Sequence, residues 1–370
     1  MNKKLLALAV AGAFAVPAAA MADTGNVTVY GVVHASVDRT DNGDVSGGAQ
    51  GTSTTKVSSN QSRIGFKGTE DLGNGLSAVW QIESSVAVDD SAGSGALASR
   101  NSFVGLSGKS WGTALLGRHD TPYKIATRNL DIFADTIADN RNLMGRTTTG
   151  IIHDDRANNV IAYISPNFSG FTAAAAYVAG AESATTSGQK KGDAWSVMGN
   201  YENGPLYATL AWQRFKFGDA NTGGLGAGTT TEADKSAKAW KIGGGYTFGA
   251  FKVGAVYEKF TDDFATVANK ADRKSWTING VYTFGNNAVK LAYVKADDTA
   301  SVSNTGAKQW TLGVDHNFSK RTAVYALYSK LDNDNAARYG LGTGVGGGAV
   351  TAKGAGADPS AWSFGVKHSF

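Results

Sequence analysis

The chain ends in Trp362-Ser363-Phe364-Gly365-Val366-Lys367-His368-Ser369-Phe370. When this stretch is extended, alternate side chains point to opposite faces: Trp, Phe, Val, His and Phe on one, and Ser, Gly, Lys and Ser on the other. It therefore predicts a β-strand with one apolar and one polar face. Because soluble chains tend to end in polar, frayed residues, a strand of this kind is more typical of a protein in lipid.

The same alternation recurs upstream as far as residue 27. It is clearest over residues 275–284 and 309–318, where aromatic and aliphatic residues alternate with polar ones. Residues 324–328 are apolar on both faces, so the pattern leaves the register of that strand open. The predicted strands are 27–38, 62–68, 76–86, 101–107, 111–118, 158–165, 171–179, 193–201, 205–217, 237–248, 251–260, 273–284, 288–296, 308–318, 321–331 and 361–370.

The connections between these strands alternate between short and long. The seven short ones are rich in Gly, Asn and Ser, which form tight turns, whereas the eight long ones include 40–61 and 119–157. This sorting predicts an all-β fold, a 16-stranded antiparallel transmembrane β-barrel with long extracellular loops and short periplasmic turns. A soluble β-sandwich is the alternative, but it gives no reason for loops to be sorted by length.

Hydropathy and composition agree with a barrel. No stretch after residue 22 has 18 consecutive apolar residues, which excludes transmembrane helices. The mean hydropathy of −0.20 is compatible with a membrane barrel, because only alternate residues face lipid. The chain has no cysteine and therefore no disulfide bonds. Aromatic residues such as Trp195, Phe248 and Phe318 lie at strand ends, where they suit the headgroup level of a bilayer.

The first 22 residues predict a signal peptide. Lys3 and Lys4 precede an apolar run from Leu5 to Val16, and Ala20-Met21-Ala22 offers a cleavage site. We therefore expect residues 1–22 to be removed and residues 23–370 to form the barrel, in the bacterial outer membrane. Without the two lysines, 33 basic residues face 31 acidic ones, a balance too even to indicate nucleic acid as a partner.

A barrel of about 16 strands is too wide for side chains to fill, so its interior holds water. Function then depends on what narrows and charges that channel. The longest early connection, residues 119–157, carries both signs of charge and is the candidate constriction. Its candidate residues are Asp120, Lys124, Asp131, Asp135, Asp139 and Arg141. An ordinary solvated surface loop is the alternative.

Several longer segments resemble the general porins of Gram-negative bacteria, most closely those of beta-proteobacteria. These segments are VTVYGVV (27–33), SRIGFKGTEDLGNGL (62–76), RNSFVGLSGKSWGTALLGRHDTPY (100–123), DTIADNRN (135–142), RANNVIAYISPNFSGF (156–171) and the final FGVKHSF. The resemblance implies a homotrimeric channel whose third long loop folds inward. It also implies that Arg63, Arg100 and Arg156 lie on the wall opposite that loop.

Two further basic residues are assigned to this wall. Lys67 joins it by alternation from Arg63, and Arg118 is included as a fifth member. The terminal Phe370 is assigned as the C-terminal assembly signal. Since the wall bases are at least as numerous as the loop acids, we expect passive diffusion of small hydrophilic solutes and ions with weak anion selectivity. The expected partners are these solutes, outer-membrane lipid and two further copies of the chain.

Other classes of function are less well supported by the sequence. The five histidines, at 34, 119, 153, 316 and 368, are scattered and lack a nucleophile context, so no enzyme is expected. No metal site or cofactor is expected either, because there is no cysteine and no histidine pair with ligand spacing. A substrate-specific channel or an adhesin stays open. Tyr30 and Tyr207 face inward by alternation but form no continuous aromatic track.

Overall fold

The computed structural model describes residues 27–90, 96–146, 151–180, 192–218, 234–264, 272–300, 302–342 and 348–370. The predicted signal peptide lies outside the described residues. The strands are β1 (Val27–Asp41), β2 (Ser53–Ser59), β3 (Arg63–Gly73), β4 (Leu76–Ser85), β5 (Ser102–Gly108), β6 (Gly112–Asp120), β7 (Arg156–Ile164), β8 (Phe171–Ala179), β9 (Asp193–Asn203), β10 (Leu206–Lys216), β11 (Ser236–Phe248), β12 (Phe251–Asp262), β13 (Arg273–Phe284), β14 (Asn287–Ala296), β15 (Ala307–Asn317), β16 (Thr322–Asn333) and β17 (Ser360–Ser369).

These strands form one closed antiparallel barrel. From β3 onward each strand pairs with the next, and β1 pairs with β17 from Val32↔Ser369 to Asp41↔Ser360. The other edge of β1 pairs with β3 along its first half and with β2 along its second half. Because β2 and β3 occupy one place in the wall, the barrel has sixteen strands, as the sequence predicts.

Two details differ from the sequence reading. The predicted loop 40–61 contains β2, which extends the hairpin of β1 above the membrane level. β2 is polar on both faces except for Val57, since a strand at the rim meets water rather than lipid. The sequence left open which face of β16 points inward. In the structure, Leu327 and Leu331 face inward and are buried. They are apolar because a loop covers them.

That loop, residues 121–155, is called the inner loop below. It contains the helix α1 (Pro122–Arg128) and a short 3-10 turn (Asn140–Asn142). The side chain of Thr121 caps α1 by accepting a hydrogen bond from the backbone N–H of Lys124 at 3.3 Å, and Pro122 is suited to the first helical position. No helix among the described residues is long and apolar enough to cross a membrane.

The apolar core lies inside the barrel, between the inner loop and one half of the wall. One cluster joins Tyr123 and Ala126 of the loop to Phe215 and Phe260 of the wall. A second cluster packs Leu130, Phe133, Ile137 and Leu143 of the loop against residues of β12, β14 and β16. Full burial of a side chain such as Phe133 stabilises the folded loop by about 1.5–3 kcal/mol. Outside the barrel, large apolar side chains are exposed to the lipid, as in Val29, Leu291 and Phe364.

Candidate pore constriction

The inner loop crosses the barrel interior and is held there by inward-facing polar side chains of the wall. Tyr207 donates to the carbonyl of Ala126 at 2.6 Å, and Asn279 to the carbonyl of Leu130 at 2.8 Å. Further along, Gln309 donates to the carbonyl of Ala138 at 2.9 Å. The loop backbone is therefore tied to β10, β13 and β15. This accounts for the inward-facing position of Tyr207, which alternation predicts.

Glycines in the wall make room for the loop. A Cβ on Gly313 would lie 2.7 Å from Cε1 of Phe133, and one on Gly243 would lie 2.6 Å from Cδ1 of Leu130. Contacts this short are not tolerated, so a larger residue at either position would displace the loop side chain that packs there. The loop can pack this closely because the facing strand positions carry no side chain.

The loop acids are gathered around two arginines of the loop itself. Arg128 forms ion pairs with Asp131 at 3.2 Å, with Asp135 at 2.8 Å and with Asp139 at 2.6 Å. Arg141 pairs with Asp139 at 2.8 Å and lies 3.6 Å from Asp135. The side chain of Asp139 is completely buried, with 0% exposure. The structure thus brings together four of the six predicted loop residues and adds Arg128 as their centre.

These contacts set the protonation of the acids. Burial, and next to it the charge of Asp139, raises the pKa of Asp131 to about 7. Burial also acts to raise the pKa of Asp139 and of Asp135, but Arg128 and Arg141 outweigh it and hold both pKa values below the ordinary range. Asp131 is therefore the one acid of this group that titrates near neutral pH.

On the facing wall, Arg63 and Arg100 share a carboxylate. Nε of Arg100 lies 2.6 Å from Glu83, Nε of Arg63 lies 3.9 Å from it, and Tyr30 donates to it at 3.0 Å. Arg63 also lies 3.7 Å from Asp135, which links the wall to the loop. Sequence reasoning missed Glu83. The sequence signal that could have identified it is its position on β4, where pairing opposite Gly65 places its side chain on the inward face.

Asp120 is the last residue of β6 rather than a loop residue. It binds Arg156 of β7 at 3.1 Å and Lys124 of α1 at 2.8 Å, and Asn101 donates to it at 3.3 Å. Asn101 in turn accepts from Nε of Arg156 at 2.6 Å. This small network fixes the start of the inner loop against the wall arginine.

The last two predicted wall residues stand apart from this network. Lys67 faces inward, with Nζ 5.2 Å from the ring centre of Tyr30. Arg118 donates to the carbonyl of Ser99 at 3.0 Å and to the side chain of Asn158. Its pairing register with β5 places it on the face of β6 shared by Leu116, which is 56% exposed on the outer surface. Arg118 nevertheless lies close enough to Arg156 and Arg100 to interact with both electrostatically.

The comparisons with known proteins agree with this architecture. Residues 7–336 match the family model described as Gram-negative porin. The chain belongs to the Gram-negative porin family. It is 33% identical to outer membrane porin protein 32 of Delftia acidovorans over 379 residues, which covers 100% of both chains. The protein is accordingly a porin, a channel of the bacterial outer membrane.

Solved porin structures share the fold. The anion-selective porin from Comamonas acidovorans is 31% identical, with a TM-score of 0.76 over 93% of this chain and 99% of that chain. The trimer form of OmpT from Vibrio cholerae has a TM-score of 0.64 at 18% identity, over 94% of this chain and 100% of that chain. The second likeness supports the fold alone.

Two more lysines of this porin face the inner loop from the wall. Nζ of Lys290 donates to the carbonyl of Ile132 at 3.1 Å and pairs with Asp315 at 2.8 Å. Lys367 of β17 faces inward beside Asp135 and Arg63, with which it interacts electrostatically. The sequence placed Lys367 on the polar face of its strand but gave no indication that this face meets the loop.

A buried cluster anchors both the beginning and the second half of the porin's inner loop. Tyr123 donates to Glu258 at 2.9 Å, and Lys241 pairs with Asp154 at 2.6 Å. The guanidinium of Arg273 donates to backbone carbonyls of the loop. Breaking a buried pair of this kind costs about 3–5 kcal/mol. The anchor explains how a long loop keeps one position inside a water-filled barrel.

Proposed function

We propose that Arg63, Arg100 and Arg156, with the inner loop opposite them, form the narrowest part of the channel and make it weakly anion-selective. The observation that carries this proposal is the orientation of the loop acids. Asp131 and Asp139 point into the loop, where Arg128 pairs with both and Arg141 pairs with Asp139, so only Asp135 faces the wall at Arg63. The wall arginines are therefore incompletely compensated by the loop.

The charged groups of the acidic loop cluster, of the networks around Glu83 and Asp120, and of the three lysines that face inward, with Asp315, have a balance of the same sign. Six acids stand against nine bases, an excess of three positive charges when all are ionised. The acids are Glu83, Asp120, Asp131, Asp135, Asp139 and Asp315, and the bases are Arg63, Lys67, Arg100, Lys124, Arg128, Arg141, Arg156, Lys290 and Lys367. A positive excess in a narrow low-dielectric passage raises the local concentration of anions.

Such a channel passes small hydrophilic solutes and ions by diffusion and favours anions among them. The Comamonas acidovorans porin, which resembles this chain over nearly its whole length, is called anion-selective. Its name adds support to the charge argument, which rests on the residues of this chain.

Cysteine labelling tests where the constriction lies, because the natural chain has no cysteine. We expect Arg63→Cys to lose most of its single-channel current when a bulky water-soluble methanethiosulfonate is added. Val29→Cys is the control, since this residue faces the lipid from the neighbouring strand β1. If the current of the Arg63→Cys channel does not change although labelling is complete, Arg63 does not line the narrow passage.

We further propose that three copies assemble through the outer face of β1–β7. Trp and Tyr side chains form an outward row near the extracellular ends of β8–β17, from Tyr177 and Trp195 to Tyr328 and Trp362. At the same level, the described residues of β1–β7 carry no outward Trp or Tyr. Aromatic belts mark contact with lipid headgroups, so a face without them is suited to contact with protein.

Spin labels on single cysteines test this interface. Val104 of β5 and Leu291 of β14 are both 58% exposed on the outside of the isolated barrel. In membranes, we expect a label at Val104→Cys to be shielded from dissolved oxygen and a label at Leu291→Cys to be fully accessible. Equal accessibility at the two positions would rule out an interface on β1–β7.

A further inference from the structure

Asp38 of β1 is a fully buried carboxylate on the inner face of the barrel wall. Its exposed fraction is 0%, and among the residues that the structure describes, neither of its carboxylate oxygens has a hydrogen-bond partner. An isolated buried charge is costly, and buried charges in proteins are as a rule paired or bound to a metal ion. The charge of Asp38 therefore requires a positive group in contact with it.

The nearest base of the neighbouring strand does not make this contact. Lys56 of β2 lies directly opposite Asp38 in the pairing register, but no ion pair within 4 Å joins these two described residues. The Nζ atom of Lys56 instead donates to the backbone carbonyl of Ala349 at 2.8 Å. Lys56 and Asp38 interact electrostatically at longer range. This interaction offsets part of the charge of Asp38 but leaves its oxygens without a ligand.

Hydroxyl oxygens of the two neighbouring strands lie beside this carboxylate. Ser363 of β17 is directly opposite Asp38, and Ser58 of β2 is two residues from Lys56 on the same inward face. Both serines have an exposed fraction of 0%. Within the described part of the chain, the Oγ atom of Ser58 also has no hydrogen-bond partner. Oxygen atoms are the ligands that hard cations prefer.

The carboxylate and the hydroxyl of Ser58 converge on one point beside Gly348, in the loop between β16 and β17. A Cβ on Gly348 would lie 3.4 Å from Oδ2 of Asp38 and 3.4 Å from Oγ of Ser58. Apart from the chain neighbours of Gly348, every other atom described there is at least 3.6 Å from this point. Because Gly348 has no side chain, the two oxygens border a space that is large enough for a metal ion.

We propose that a monovalent cation, Na⁺ or K⁺, binds in this space, held by the carboxylate of Asp38 and the hydroxyl of Ser58. A single carboxylate balances one positive charge. A divalent ion would leave an excess of positive charge in a buried place close to Lys56, which is unfavourable. The proposal does not rest on the ion selectivity proposed above, because the site lies in the wall and not among the arginines of the constriction.

The cation would fix the loop between β16 and β17 to the wall. Next to Gly348 in this loop, Val350 pairs with Leu341 through two backbone hydrogen bonds, at 2.8 and 3.0 Å. The adjacent N–H of Gly342 donates to the carbonyl of Ile137 in the inner loop at 2.9 Å. A cation at Gly348 therefore lies at the wall end of a series of contacts that reaches the inner loop.

The thallous ion is a direct probe of the site, since it is a monovalent cation with strong anomalous scattering. Crystals of the natural porin that are grown in choline salts and soaked in thallous acetate should show an anomalous peak between Asp38 and Gly348. Asp38→Asn should lose this peak. Asp44→Asn is the control and should keep it, because Asp44 is exposed and already accepts a hydrogen bond from Gly51 at 2.6 Å. Absence of the peak in the natural porin, or its survival in Asp38→Asn, overturns the proposal.

A second arm measures melting temperatures in NaCl, KCl and choline chloride at equal chloride concentration. A ligand that binds only the folded form raises the melting temperature, so we expect the natural porin to melt higher in NaCl or KCl than in choline chloride. Equal melting in the three salts would indicate that Asp38 carries a proton in place of a cation, and would overturn the proposal. Loss of the difference on addition of EDTA would also overturn it, in favour of a divalent ion.

A glycine variant tests the position of the cation without removing a charge. The methyl group of Gly348→Ala makes contacts of ordinary van der Waals length, but it occupies the proposed site. We therefore expect this variant to fold and to melt at the same temperature in all three salts. Gly48→Ala is the matched control, since its Cβ would also have its nearest neighbour at 3.4 Å, in the apolar side chain of Val45. If Gly348→Ala responds to Na⁺ or K⁺ as strongly as this control, the cation does not bind beside Gly348.

Discussion

At the residue scale, the inner loop buries a carboxylate that its own arginine neutralises incompletely. Asp131 shares Arg128 with Asp135 and Asp139, and it accepts backbone hydrogen bonds from Phe133 and Asn140 at 3.0 Å each;. Burial and the neighbouring Asp139 raise its pKa to about 7. Asp131 is therefore mostly neutral below about pH 7 and mostly charged above it.

The charge of the constriction should therefore depend on pH. Between about pH 6 and pH 8, Asp131 loses its proton and adds one negative charge, so we expect the preference for anions to weaken as pH rises, with a midpoint near 7. Reversal potentials across this range measure the effect. Asp131→Asn should keep the low-pH preference at every pH. If this variant shows the same pH dependence as the natural porin, another group is responsible.

At the element scale, the strands could be predicted from the sequence because lipid and water impose strict alternation on their side chains. β2 was not predicted because its side chains, apart from Val57, are polar on both faces, so it lacks the alternation that lipid imposes. The sequence also did not predict that Arg128 pairs with three acids of the loop, or that Glu83 binds Arg63 and Arg100. Both arrangements depend on how the inner loop and its neighbouring strands are placed in space. Alternation identifies the face on which a residue lies, but it does not identify the residue that faces it across the channel.

The packing of the inner loop against Gly313 gives a prediction at this scale. Gly313→Val would collide with Phe133, so we expect the loop to move into the lumen and the single-channel conductance to fall markedly. Gly280→Val is the matched control, because a Cβ there would have its nearest neighbour at 3.8 Å. Equal conductance of the two variants would show that Phe133 does not hold the loop in place.

At the scale of the whole molecule, the barrel closes between its first and last strands, and the terminal aromatic residue lies at this seam. Gly31 and Phe370 exchange two backbone hydrogen bonds, at 3.0 and 3.1 Å. The ring of Phe370 occupies the space that a side chain on Gly31 would need. Phe370, which the sequence analysis assigns as an assembly signal, thus packs against Gly31. The sequence did not indicate this contact.

Overpacking this seam should weaken the closed barrel. We expect Gly31→Val to destabilise it by about 1–3 kcal/mol, because the new side chain must displace the ring of Phe370. The measurement is the temperature at which the compact form disappears on gels run without prior boiling. Ala35→Val is the control. Ala35 lies further along β1 on the same face as Gly31, and this variant should melt at the normal temperature. A normal melting temperature for Gly31→Val would show that the ring does not support closure.

The reversal potential of single channels in a salt gradient tests the central claim most directly. The natural porin should show a preference for anions, and Arg63→Gln/Arg100→Gln should shift the reversal potential toward cations, with the periplasmic variant Lys109→Gln unchanged. A preference for cations in the natural porin, or an unaltered potential after removal of the two arginines, would contradict the account.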